Sequence, residues 1–305
     1  MKKGFFVIFI AAGICNGSFA QSTASSSNPE PLTLIVWPNG APGETPSQHA
    51  EADTSTANDM LIAGKPVVRL GWVSSPTLTV YQPRATNTGA AVVVFPGGAY
   101  HILAMDLEGS EACDWFSSIG VTCVLLKYRV PDSGPFPKSV VALQDAQRAF
   151  GMVRSHASGW HIDPHRIGVL GFSAGAHLAA TLSTHFEQRL YDPIDASDRV
   201  SCRPDFQAII YPGHLALDEK NFAPNPDVPV TKQTPPAFIL QAEDDSVHVE
   251  NAVVYFTTLK AAGVAAELHI YARGGHGYGL RRTALPITTW PATLAIWLHT
   301  IAILP

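Results

Sequence analysis

Ile167-Gly168-Val169-Leu170-Gly171-Phe172-Ser173-Ala174-Gly175-Ala176-His177-Leu178 is the stretch that decides the fold. Ile167 to Leu170 reads as a strand, and Ala174 to Ala180 is a run of helix formers. Between them Gly171-Phe172-Ser173-Ala174-Gly175 fits G-x-S-x-G, a turn so tight that the serine takes a strained backbone conformation and needs small neighbours. Glycine at 171 and 175 lets neighbouring backbone come close. The Ser173 hydroxyl then stands at a helix N-terminus, where the dipole favours developing negative charge. A serine that merely caps a helix would look similar in isolation, so the surrounding segments have to carry the assignment.

Upstream, Ala90 to Phe95 is a continuous apolar run closed by Pro96-Gly97-Gly98, a buried strand followed by a turn. Acyl transfer passes through a tetrahedral oxyanion that backbone N–H groups stabilise. The N–H of Ala174, beside the nucleophile, is one candidate donor, and Gly98 is the second, with Gly97 as its neighbour or alternative. Downstream, Gly274-Gly275-His276-Gly277 follows the last strand, and a histidine in such a loop can reach the serine as general base. The acid belongs after the penultimate strand, Ala237 to Gln241, where Asp244-Asp245-Ser246-Val247-His248 offers two carboxylates. Motif register favours Asp244 as the triad acid, with Asp245 exposed or capping a helix. In that arrangement His276 takes the Ser173 proton and returns it to the leaving group, while Asp244 fixes the imidazole tautomer. This chemistry requires no metal and no organic cofactor.

The remaining chain alternates short apolar runs with longer amphipathic ones, which predicts a mostly parallel sheet with helices on both faces. Leu32 to Trp37 and Thr77 to Gln82 read as an antiparallel edge. Val121 to Tyr128, Phe206 to Tyr211 and Glu267 to Ala272 read as further strands. Glu108 to Ser118, Lys138 to His156, Val249 to Ala262 and Trp290 to Ile301 read as helices. Pro212 to Pro236, rich in Pro, Asp and Asn, reads as a long loop or small excursion between two sheet strands, over the edge of the sheet where ligands bind.

Of 305 residues, 46% are hydrophobic and 15% charged, with net charge −5, which suits a sizeable core and offers no basic patch for nucleic acid. Lys2-Lys3, the apolar Phe5 to Ile14 and Ser18-Phe19-Ala20 predict a signal peptide over 1–20 and export to the periplasm or beyond, with no membrane association after cleavage. A polar, Ser-rich leader over 21–30 then precedes a catalytic domain over 31–305. The mature chain keeps Cys113, Cys123 and Cys202, an odd number that permits one disulfide of undetermined pairing, and Cys123 reads as a small buried hydrophobe.

Several segments together resemble a known family: Trp37-Pro38 with Ala41-Pro42-Gly43, Phe95-Pro96-Gly97-Gly98-Ala99-Tyr100, Glu108-Gly109, Leu126-Lys127-Tyr128-Arg129, Asp145-Ala146-Gln147-Arg148-Ala149, the Ser173 motif and the His276 loop. They are similar to those of α/β-hydrolase-fold serine esterases of the acetylxylan-esterase-like and feruloyl-esterase-like group. The resemblance implies an α/β-hydrolase fold and removal of short acyl groups, acetyl foremost, from a small-molecule or carbohydrate ester. The acid turn also resembles the prolyl-oligopeptidase group, which supports Asp244 and keeps a peptidase as an alternative, and a non-catalytic binding protein of this fold is another. The family loop often carries a third glycine where Ala99 stands, which disfavours Ala99 as an oxyanion donor. Glu108 and Arg148 are charged groups beside apolar runs; substrate contact is one reading, and the favoured one is structural, an ion pair or hydrogen bond that holds the oxyanion loop or a helix in place.

Overall fold

The computed structural model describes residues 1, 2, 4, 31–43, 48–132 and 139–305. The chain divides into two units, Met1–Glu30 and Pro31–Pro305. The expected signal segment and leader lie outside the described residues apart from Met1, Lys2 and Gly4. All elements named below belong to the second unit.

Eight strands form the main sheet: β1 (Leu32–Ile35), β2 (Thr77–Tyr81), β3 (Ala91–Phe95), β4 (Thr122–Lys127), β5 (Ile167–Phe172), β6 (Gln207–Ile210), β7 (Ala237–Ala242) and β8 (Ala266–Tyr271). Their spatial order is β1-β2-β4-β3-β5-β6-β7-β8. The pairs β1–β2 and β2–β4 are antiparallel, and every other neighbouring pair is parallel. Among the described residues, five α-helices flank the sheet: α1 (Glu111–Ser118), α2 (Val140–Ser155), α3 (Ala174–Leu182), α4 (Glu250–Ala261) and α5 (Trp290–Thr300).

The continuous apolar strands follow from helices on both faces. In β3, Ala91, Val93 and Phe95 join the core that contains Ala146, Phe150, Leu178 and Tyr255 from α2, α3 and α4. Val92 and Val94 point the other way, into the core built with Phe116, Trp290, Leu294 and Trp297 from α1 and α5. Alternation along the strand sends successive side chains to opposite faces, so only an unbroken apolar run satisfies both. Each buried valine, leucine or phenylalanine among them contributes about 1.5–3 kcal/mol by leaving water.

Two local features depart from expectation, and a third fills in a segment left open as loop or excursion. The predicted helix over 108–118 begins as a π-helical turn, Asp106–Ser110, before α1. The segment 212–236 contains a small hairpin, Ala216–Leu217 paired with Ala223–Pro224. A separate three-stranded sheet, unanticipated, joins Ala52–Asp53, Arg69–Gly71 and Ile102–Ala104.

Cys113 in α1 and Cys123 in β4 form a disulfide, and Cys202 is a buried free thiol. Cys123 is therefore half of a staple between helix and sheet and not just a small hydrophobe. Burial pushes the Cys202 thiol up, which keeps it protonated and unreactive.

The charged motif residues serve packing. Asp145, fully buried, accepts from Trp37 Nε1 at 2.6 Å and from the backbone N–H and Nε of Arg129 at 2.9 and 3.0 Å. Arg148 donates to the Val36 carbonyl and pairs with Asp195 and Asp198. Both clusters tie α2 to the segment after β1.

Candidate active site

The C-terminal ends of β3, β5, β6, β7 and β8 bring five loops together. At the end of β5, Ser173 adopts φ 53°, ψ −118°, a conformation that costs a non-glycine residue about 1–3 kcal/mol. Its N–H donates to the Ile210 carbonyl at 3.0 Å, and its carbonyl accepts from Ala176 and His177, so strand and helix hold the strained residue from both sides. Close approach explains Gly175: a Cβ there would stand 2.1 Å from the Phe95 carbonyl oxygen.

His276, after β8, places Nε2 2.8 Å from Ser173 Oγ. Its other ring nitrogen, Nδ1, lies 3.0 and 2.9 Å from the two carboxylate oxygens of Asp245. The Asp245 side chain is wholly buried and also accepts from the Val247 N–H at 2.8 Å and from Gln241 Nε2 at 3.1 Å. A tautomer with hydrogen on Nδ1 donates to this carboxylate and leaves Nε2 free to accept from Ser173.

The expected acid, Asp244, does not face the imidazole. It is exposed, and its Oδ1 accepts from the Gly274 N–H at 2.9 Å and the Gly275 N–H at 2.8 Å. The bond from Gly275 is the foremost reason its carboxyl sits below the usual range. The physical reason for the correction is the turn after β7. Asp245 donates its N–H to Ala242 and accepts from His248 through its carbonyl, which turns its side chain inward and leaves Asp244 to clamp the histidine loop from outside.

Of the three expected oxyanion donors, Gly97 is spent elsewhere: its N–H donates to Glu108 Oε2 at 2.6 Å. That corrects its assignment as an alternative donor. The next residues, Gly98, Ala99 and Tyr100, all have positive φ, at 136°, 54° and 61°. Gly98 and Ala174 are thus the donors that remain from the expected set, with Ala174 opening α3 directly after the serine.

Glu108 holds this loop, as the structural reading of it anticipated, but its second partner was not foreseen. Tyr211, just past β6, donates its hydroxyl to Glu108 Oε1 at 2.8 Å and accepts the Gly279 N–H at 3.1 Å. The Tyr211 ring packs 5.1 Å from the His276 ring. A lone tyrosine at a strand end gives no local pattern by which a sequence reading could have found it. Burial pushes the Glu108 carboxyl up, while the bonds from Tyr211 and Gly97 oppose that shift. His177 lies buried beneath, with Nδ1 2.7 Å from the Tyr100 hydroxyl.

Above Ser173 opens a cleft of about 500 Å³ whose lining includes Ala99, Ala174, His214, Asp218, Glu219 and His248. A larger groove of about 770 Å³ surrounds Trp115, Arg281 and Arg282 and contains none of these site residues.

The sequence profile of the BD-FAE family matches residues 78–211. Among curated proteins, an acetylxylan esterase from Xylanibacter ruminicola is 31% identical over 205 residues, which cover 63% of this chain and 42% of that protein. Endo-1,4-beta-xylanase B of Butyrivibrio fibrisolvens is 29% identical over 220 residues, covering 66% of this chain and 34% of that one. The chain thus spans less than half the length of these two relatives. Among solved structures, an acetyl ester-xyloside bifunctional hydrolase from Caldicellulosiruptor lactoaceticus superposes with a TM-score of 0.66 at 34% identity, over 84% of this chain and 97% of that one. MGS-M1, an alpha/beta hydrolase enzyme from a Medee basin deep-sea metagenome library, gives 0.60 at 25% identity, over 77% and 97%. At 34% identity across nearly the whole of that solved relative, the chain belongs to the same family of α/β hydrolases as the Caldicellulosiruptor lactoaceticus enzyme, with the BD-FAE profile matched over its residues 78–211.

Proposed function

We propose that this protein is a serine carboxylic-ester hydrolase that removes short acyl groups, acetyl foremost, from plant polysaccharide or its oligosaccharides. The observation that carries the reading is the relay at the base of the cleft: Ser173 Oγ to His276 Nε2 at 2.8 Å, and His276 Nδ1 to Asp245 at 2.9 Å.

Ser173 attacks the ester carbonyl as His276 takes its proton. Asp245 holds the tautomer and stabilises the imidazolium. The oxyanion accepts from Ala174 and Gly98. His276 then protonates the departing alcohol, leaving an acyl-enzyme that water hydrolyses by the same steps. The names borne by the relatives, an acetylxylan esterase and an acetyl ester-xyloside hydrolase, support acetyl as the acyl group and a xylose-based alcohol. Export fits a polymeric substrate too large to enter the cell. The basic, apolar and small-residue pattern of 1–20 supports it, as does the Cys113–Cys123 disulfide, a bond that persists in oxidising compartments. The peptidase alternative loses its motif argument, because the carboxylate on the imidazole is the second of the pair.

The test is hydrolysis of 4-nitrophenyl acetate and butyrate by the wild type and Ser173→Ala. Loss of roughly a thousandfold or more in the variant, with acetate preferred, is the expected result. Equal activity in both proteins removes Ser173 as nucleophile, and preference for butyrate removes the acetyl assignment.

A further inference from the structure

The Glu108 carboxylate has a place in the site that the serine relay does not require. Both oxygens are used, each by a different loop. Oε2 takes the Gly97 N–H of the loop after β3, at 2.6 Å. Oε1 takes the hydroxyl of Tyr211, after β6, at 2.8 Å. Tyr211 in turn accepts from Gly279, three residues beyond His276, at 3.1 Å. Glu108 is 3% exposed, and among the described residues no lysine or arginine forms an ion pair with it. A buried carboxylate without a cation is costly unless neighbouring donors satisfy it. Simple fold maintenance could use an apolar residue here at lower cost.

Two further features prepare the position. Glu108 lies in the π-helical turn Asp106–Ser110, and single π turns recur at functional sites. Gly97 leaves the necessary space: a Cβ there would stand 2.7 Å from Glu108 Oε2 and 2.8 Å from Ser173 Cβ. The carboxylate therefore enters within one residue's width of the nucleophile without touching the reacting atoms.

We infer that Glu108 is a positioning residue that sets the oxyanion loop and the histidine loop in register with each other. By fixing the Gly97 peptide it fixes the direction of the next N–H, that of Gly98. Through Tyr211 it fixes the ring against which His276 packs and the Gly279 backbone that follows it. The two halves of the transition-state machinery are thus tied to one side chain. This inference rests on the proposed serine esterase reading and deepens it.

Glutamine at 108 matches the shape but removes the charge: its oxygen keeps the Gly97 N–H only if its NH2 faces Tyr211, whose hydroxyl must then turn from donor to acceptor beside the Gly279 N–H that it already accepts. With the amide turned the other way the Gly97 bond is lost, so in either orientation the two charge-assisted bonds are weakened or broken. Because the bonds serve geometry that matters in the transition state, the loss falls on kcat and spares KM.

The test compares wild type, Glu108→Gln and Tyr211→Phe on 4-nitrophenyl acetate, with the Ki of phenylboronic acid, which forms a tetrahedral serine adduct, and the Tm of each protein. Expected for Glu108→Gln is a fall in kcat of roughly 10- to 100-fold, less than for deletion of an oxyanion donor, with KM within about twofold. The boronate Ki should rise by a similar factor. Tyr211→Phe should lose roughly 3- to 10-fold with the same signature, and it decides the matter if Glu108→Gln fails to fold. Wild-type kcat and Ki in Tyr211→Phe and in any folded Glu108→Gln overturn the inference. So does a lowered Tm with kcat and KM changed alike. Ser173→Ala, assayed beside them, separates the two levels: undiminished activity there sinks the esterase reading itself.

Discussion

Replacing each aspartate of the Asp244-Asp245 pair by asparagine discriminates sharply between the two. Asp245 Oδ1 accepts from Val247 and Oδ2 from Gln241, while both oxygens face His276 Nδ1. Both oxygens lie within 3.0 Å of Nδ1, so an asparagine NH2 faces the imidazole at whichever position it takes. The Val247 backbone N–H cannot turn, whereas the Gln241 amide can, so the lower-cost orientation keeps the oxygen at the Oδ1 position and places NH2 at the Oδ2 position, against Nδ1. The histidine then shifts its proton to Nε2 and presents a donor to Ser173, the wrong tautomer for a general base. The same substitution in the serine-protease triad lowers kcat by roughly ten-thousandfold. Partial water access through the 24% exposed His276 side chain permits some tautomer recovery. Asp245→Asn should therefore lose about 10³- to 10⁴-fold in kcat, or about 4–5.5 kcal/mol of transition-state stabilisation. Asp244→Asn retains an oxygen for Gly274 and Gly275 and should stay within about threefold of wild type. Steady-state hydrolysis of 4-nitrophenyl acetate measures both, with Tm confirming that each folds. A thousandfold loss in Asp244→Asn beside near-normal Asp245→Asn would refute the assignment.

Three further outcomes follow from the geometry. The cleft over Ser173 carries Asp218 and Glu219 and, among the described residues lining it, no lysine or arginine. Acetyl esters of uronates should thus be poorer substrates than those of neutral sugars. Asp218→Asn with Glu219→Gln should raise kcat/KM for the anionic esters about 2- to 10-fold at low salt, with added salt shrinking the gain. The disulfide joins residues ten apart, and the closed-loop entropy amounts to about 2–3 kcal/mol. A Cys113→Ala, Cys123→Ala protein should melt several degrees lower by calorimetry, and an unchanged Tm would show that the staple contributes nothing. The hydrogen bond from Arg148 holds the Asp195 carboxyl well below its ordinary range. A depressed folded-state pKa stabilises above the unfolded value of about 4 and loses that contribution as pH falls below it. The Tm gap between wild type and Asp195→Asn should therefore be widest near neutrality and close below about pH 4; a gap that widens in acid would contradict the sign.

What could be read from the sequence depended on how far each feature reports its own surroundings. β3, β5 and β7 are buried on both faces, so apart from the hydrogen-bonded Gln241 of β7 their residues are apolar or glycine, and their runs stand out without any knowledge of neighbours. The strained serine needs glycines on either side, which writes the constraint into five consecutive letters. The sheet of Ala52–Asp53, Arg69–Gly71 and Ile102–Ala104 has two- and three-residue strands far apart in the chain, too short to show a period. The pairing of Cys113 with Cys123 depends on α1 lying over β4, a contact that three cysteines cannot specify by count.

The acid and Glu108 show the sharper boundary. Adjacent aspartates differ in role because one peptide rotation in the turn after β7 sends the first toward the Gly274 and Gly275 N–H groups and the second under the imidazole. Residue type is the same at both positions, so only the hydrogen bonds of the turn can separate them. Glu108 could be identified as paired from its setting beside apolar runs, yet its partners are a glycine amide eleven residues upstream and a tyrosine 103 residues downstream. Neither partner carries charge, and a reading that looks for a countercharge passes over both. Both cases share one cause. In this architecture the chemistry is assembled at the ends of five parallel strands, and parallel strands are joined by long crossovers. Groups that touch at the site are separated in the chain by whole helices, so the type of a catalytic residue can be legible while the partner that orients it is not.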